Sequence, residues 1–110
     1  MDLDAVLSRK LTSLFPDPDI RDEVINTLNL YGLEKHEQEP IRIRLAVLKL
    51  SGDDVEQVKI NTAYAKQDFR DVLVWAEYPR QSKKWSVPDG PKKQKLVAAD
   101  RAEYEEWLER

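Results

Sequence analysis

Cysteine is absent from the 110 residues, which excludes disulfides, thiolate metal sites and cysteine nucleophiles within this chain. Histidine occurs once, at His36. A zinc-protease helix needs two histidines four apart, and a di-metal bundle needs two Glu-x-x-His motifs, so neither is available. Glycine is confined to Gly32, Gly52 and Gly90, too scattered for a phosphate-cradling loop and too sparse for a turn-rich sandwich. No serine sits in a Gly-x-Ser-x-Gly turn, which leaves a nucleophilic triad unsupported. No apolar run reaches the ~20 residues that span a bilayer, and Met1-Asp2-Leu3-Asp4 lacks the basic start of a secretory leader. These absences point to a cytoplasmic setting, with no metal, no cofactor, no membrane contact and no catalytic group expected.

What the sequence does hold is one dense aliphatic stretch, Pro40-Ile41-Arg42-Ile43-Arg44-Leu45-Ala46-Val47-Leu48-Lys49-Leu50. Ile41, Ile43, Leu45 and Val47 alternate with other residues as in a half-buried strand, yet Ile41, Leu45 and Leu48 also share one helical face. As a helix it carries Ile43, Val47 and Leu50 on the opposite side, so it is buried on two faces with its basic residues between them. Pro40 suits a first turn, Leu45, Ala46, Leu48 and Lys49 are good helix formers, and Gly52 suits a stop. The helical reading therefore places residues 40–50 at the centre of the fold.

Around it, Leu3, Val6, Leu7, Leu11 and Leu14 make one helical stripe, stopped by Pro16. Asp17-Pro18 opens a second helix with the stripe Ile20, Val24, Leu28 and Tyr31, ended by Gly32. Residues 34–39 read as a solvated polar connection or an early helix turn leading into the central helix. Asp53 with Glu56 predicts a capping box for a fourth helix, and Asp68 predicts the cap of a fifth that buries Phe69, Val72, Leu73 and Ala76 with Trp75 at its margin. Asp100 with Glu103 predicts the start of a last amphipathic helix. The expected fold is thus all-α: a compact antiparallel bundle of about five helices over residues 1–79, a basic Pro-containing loop at 80–95, and a C-terminal helix at 96–110.

Charge is unevenly spread along the chain. Residues 79–95 hold six basic groups and one acidic group, whereas residues 1–78 hold ten basic and fifteen acidic. Arg80, Lys83, Lys84, Lys92, Lys93 and Lys95 surround Trp85, the combination of cations and an indole that single-strand nucleic-acid binders use. The plainer alternative is a soluble lysine-rich loop lying on an acidic body. Tyr104, Trp107 and Leu108 share one face of the last helix and need burial, either on the chain's own body or against a protein partner or second copy. The acidic clusters Asp17, Asp19, Asp22, Glu23 and Asp53, Asp54, Glu56 lack a calcium-loop pattern and read as helix caps. A non-catalytic interaction module is the expected function, with nucleic-acid binding through 80–95 the alternative.

The segments Arg44-Leu45-Ala46-Val47-Leu48-Lys49-Leu50 with Gly52-Asp53, and Asp68-Phe69-Arg70-Asp71-Val72-Leu73-Val74-Trp75-Ala76-Glu77-Tyr78-Pro79, resemble stretches in small bacterial proteins of unassigned activity. That resemblance implies a bacterial origin and a compact helical body. It transfers no functional residue.

Overall fold

The computed structural model describes residues 2–83 and 90–110. Seven helices occur among them: α1 (Leu3–Leu14), α2 (Pro18–Leu28), α3 (Pro40–Ser51), α4 (Val55–Gln67), α5 (Phe69–Glu77), α6 (Pro79–Lys83) and α7 (Pro91–Glu109), with no strand. The ambiguous stretch is helical and central. Ile43, Leu45, Ala46, Val47 and Leu48 are each no more than 1% exposed, and α3 packs chiefly against α4 and α5, with α1 on another side. Each fully buried aliphatic side chain of this kind contributes about 1.5–3 kcal/mol. Val24, Leu28, Tyr31, Val58, Val72 and Ala76 complete the same core.

The helix starts follow local chemistry. Asp2, Asp17 and Asp68 each accept backbone N–H groups in the first turns of α1, α2 and α5. At α4 the cap is Asp54, which accepts from Glu56 and Gln57, and not the expected Asp53. The shift arises because the turn through Gly52 continues until Asp54 donates its N–H to the Ser51 carbonyl, leaving Asp54 as the last extended residue. Asp68 both ends α4 and begins α5. α2 stops at Leu28, three residues before the expected Tyr31, as the N–H groups of Leu30 and Tyr31 tighten onto the Thr27 and Leu28 carbonyls.

Two further expectations change. The basic loop predicted over 80–95 is helical at both ends, in α6 and in the opening of α7, where Pro91 presets a first-turn geometry; Lys84 to Asp89 lie outside the described residues. Asp100 does not cap α7. It sits inside that helix, 1% exposed, and its carboxylate accepts the backbone N–H of Arg80 at 3.1 Å and of Gln81 at 3.2 Å. It therefore caps α6 from another helix, where the preceding residue, Tyr78, lacks the short polar side chain of a local cap.

A common device closes the other helix ends. α1, α2, α5 and α7 carry no basic residue in their last turns, and each receives a cation from elsewhere. Arg21 of α2 donates to the Phe15 carbonyl, Arg44 of α3 to Leu28 and Tyr31, and Lys49 of α3 to Ala76. Arg9 and Lys10 of α1 donate to the carbonyls of Leu108 and Arg110. Unpaired carbonyls at a helix end concentrate negative charge, so a cation there is favoured.

Candidate functional site

The residues singled out at the C-terminus face inward. Leu108 is buried, Tyr104 and Trp107 pack against the core, and Lys10 lies over the Trp107 ring with its ammonium 4.4 Å from the centroid. Their apolar surface completes the domain's own core, the first of the two alternatives the amphipathic pattern allowed. The Tyr104 hydroxyl is buried without a hydrogen-bond partner among the described residues, and burial, reinforced by Glu77, raises its pKa.

The basic band is divided between structure and surface. Arg80 donates to Asp100 at 3.2 Å and also pairs with Glu103, so its guanidinium serves the α6–α7 junction. Lys83, Lys92 and Lys95 are exposed, and Lys93 is half-buried in the first turn of α7. Lys84 and Trp85 lie outside the described residues.

The polar connection at 34–39 is solvated only in part. His36 is exposed, but Glu37 is 5% exposed. One carboxylate oxygen of Glu37 accepts the backbone N–H groups of Gly32, Leu33 and Glu34 at 3.0–3.1 Å, and the other accepts from Lys66 at 2.8 Å. Burial alone pushes this carboxyl up, but the Lys66 ammonium and the backbone donors outweigh it and hold its pKa at about 2. The neighbouring Tyr31 hydroxyl donates to the Gln38 carbonyl at 2.8 Å; burial, with Glu37 and Glu39 nearby, pushes its pKa up to about 12. Arg42 meets Glu77 through two hydrogen bonds of 2.7 and 2.9 Å. Glu37, Glu77, Asp100 and Glu103 are thus all engaged by cations that hold helices together.

Large apolar side chains are exposed at Ile20, Leu30 and Leu33 and on α4 and α5, where two exposed aromatic rings meet. Tyr64 and Trp75 are 46% and 42% exposed, and their rings meet edge to face with centroids 5.6 Å apart at 87°. Ile60, 45% exposed, lies one turn before Tyr64 on the same face of α4. Tyr78, 38% exposed, follows one turn after Trp75. Glu56 stands one turn before Ile60 and Asp71 one turn before Trp75, both exposed. The cations nearby in sequence already have partners: Lys59 pairs with Glu23 and Glu56, and Arg70 with Asp68. This face combines two perpendicular aromatic rings, an aliphatic neighbour and an acidic rim.

Sequence reasoning placed Trp75 at the margin of its helix and overlooked Tyr64. The signal was present. Val58, Thr62 and Ala65 mark the buried side of α4, and Ile60 and Tyr64, four apart, form a second apolar pair away from it. Among the described residues no group of three or more His, Asp or Glu side chains is placed to hold a metal ion, and no helix is long and apolar enough to cross a membrane. In comparisons with known proteins, no family model, no curated protein and no solved structure matches this chain.

Proposed function

We propose that this chain is a small, non-catalytic interaction module that docks a protein partner through the Tyr64–Trp75 face of α4 and α5. The observation that carries this proposal is the aromatic pair itself. Trp and Tyr dominate the energetic centres of protein interfaces, because a large rigid ring gives much contact area for little lost freedom. Here two such rings stand in contact outside the core, with Ile60 extending the apolar surface. The buried carboxylates Glu37, Glu77 and Asp100 are engaged in ion pairs between segments of the fold. A cytoplasmic setting fits a cysteine-free chain.

Selection from a random displayed-peptide library on the full chain tests the proposal. Peptides enriched on the wild type are expected to lose binding to Tyr64→Ala and Trp75→Ala variants that keep the wild-type circular dichroism spectrum. No enrichment, or enrichment indifferent to both substitutions, would overturn it.

The second reading, single-strand nucleic-acid binding through the 80–95 band, draws support from the exposed Lys83, Lys92 and Lys95. Arg80 contributes less than its position in sequence suggested, being held by Asp100 and Glu103. A labelled oligothymidylate titrated at low salt distinguishes the two. Binding lost in a Lys92→Glu, Lys95→Glu variant and unaffected by Trp75→Ala would favour this second reading.

A further inference from the structure

Taking the α4–α5 face as the docking surface, we infer that its occupant is a short basic peptide segment, with an arginine or lysine seated over the Tyr64 and Trp75 rings. Three features identify that occupant. The first is ring geometry. In two exposed rings that meet edge to face at 87° with centroids 5.6 Å apart, the edge of one covers part of the other's face, and the ring surface left exposed can take a guanidinium or ammonium on its negative face, an attraction that is strongest for Trp.

The second is charge. Asp71 stands exposed one turn before Trp75, and Glu56, one turn before Ile60, shares the single Lys59 ammonium with Glu23, which leaves that cluster net negative. The cations of these two helices are all paired with acidic groups: Lys59 with Glu23 and Glu56, Lys66 with Glu37, and Arg70 with Asp68. The first 78 residues carry fifteen acidic groups against ten basic ones, so the wider field also attracts a cationic partner and repels a phosphate backbone.

The third is size. A Trp or Tyr side chain offers about 150–250 Å², so Tyr64 and Trp75 at 46% and 42% exposure, with Ile60 beside them, present roughly 250–300 Å². A stable folded partner, or a second copy, needs about 800 Å² on each side. A linear segment anchored by one or two side chains matches the available area.

The test uses the full chain and fluorescein-labelled peptides carrying arginines beside leucines, with counterparts that hold glutamine or glutamate at the arginine positions. Fluorescence polarisation at low salt is expected to show the arginine peptide binding about tenfold more tightly than the glutamine peptide, with the advantage shrinking at high salt. Trp75→Leu, which keeps apolar area and removes the ring, is expected to weaken the arginine peptide about three- to fivefold and to leave the glutamine peptide unchanged. Asp71→Asn should reduce the salt dependence. Equal binding of the arginine and glutamine peptides, both abolished by Trp75→Ala, would overturn the basic occupant while the docking face stands. Dimerisation of the wild type in sedimentation equilibrium, lost in Trp75→Ala, would replace the peptide with a second copy. If none of the peptides binds and library selection is indifferent to Tyr64→Ala and Trp75→Ala, both the occupant and the docking face fail.

Discussion

The carboxylate of Asp100, buried in the middle of α7, accepts the backbone N–H of Arg80, twenty residues earlier, at 3.1 Å and so caps α6. The same carboxylate accepts from Gln81 through its backbone and its side-chain amide. Replacing it by alanine orphans these donors. Asp100→Ala is expected to cost about 2–3 kcal/mol in urea unfolding followed by circular dichroism, and Asp100→Asn less, because an amide oxygen still accepts. A loss below ~0.5 kcal/mol, the usual size of a surface substitution, would deny the cap any role.

Glu37 is expected to contribute to the acid limit of the domain. Its pKa in the fold is about 2 against an ordinary 4.5. A lowered carboxyl pKa stabilises the fold fully above the unfolded value, and that stability is lost as pH falls from about 4.5 through about 2. Glu37→Gln is therefore expected to flatten the stability profile across that window and to cost ~2 kcal/mol at neutral pH. An unchanged acid limb in the variant would show that other carboxylates govern it.

Gly32 is bound by its backbone and by its surroundings. Its φ is +108°, and an added Cβ would lie 3.0 Å from the Pro40 Cβ and 3.1 Å from the Arg44 guanidinium. Arg44 is itself anchored on the Leu28 and Tyr31 carbonyls. Gly32→Ala should cost more than 1 kcal/mol, visible as a lowered thermal midpoint; a neutral result would mean that the turn relaxes freely.

Lys10 gives the opposite expectation. It is 4% exposed, and burial, with Arg9 and Arg110 nearby, lowers its pKa. Burying this charge costs stability at neutral pH, a cost relieved as pH rises through the lowered value. Lys10→Met keeps the stem against Trp107 and removes the charge, so stability should change by less than ~1 kcal/mol or increase. A large loss would show that the hydrogen bond to the Arg110 carbonyl and the contact with Trp107 outweigh desolvation.

Trp75 and Trp107 separate surface from core. Trp107→Ala removes a ring packed on the core and is expected to cost ~3 kcal/mol. Trp75→Ala, at an exposed position, should cost under ~1 kcal/mol while abolishing partner binding. Equal losses of stability would mark Trp75 as structural.

The core was legible because periodicity and burial coincide: Ile43 with Val47, and Leu45 with Leu48, each repeat at helical spacing, and all four are excluded from water. Caps at Asp17 and Asp68 were equally plain, since each serves the residues just after it. Asp100 and Glu37 misled. An acid followed three residues later by another satisfies the capping-box pattern whether or not a helix starts there, and a carboxylate in a polar run gives no sign that Lys66 will close over it. Both act across distances that local pattern does not encode. The aromatic face was half-legible: Trp75 stood off its helix's stripe, but only the packing of α4 beside α5 brings Tyr64 to it.

The cations that close α1, α2, α5 and α7 all come from other helices. None of these four segments carries the means to finish itself. Excised as a peptide, each would fray from its carbonyl end and sample coil, and a chain cut within α3 would release the ends of α2 and α5 together. Loss of order should therefore spread through the domain in a single cooperative step, and α4 and α5 would present Tyr64 and Trp75 at a fixed mutual angle only while every other helix is in place.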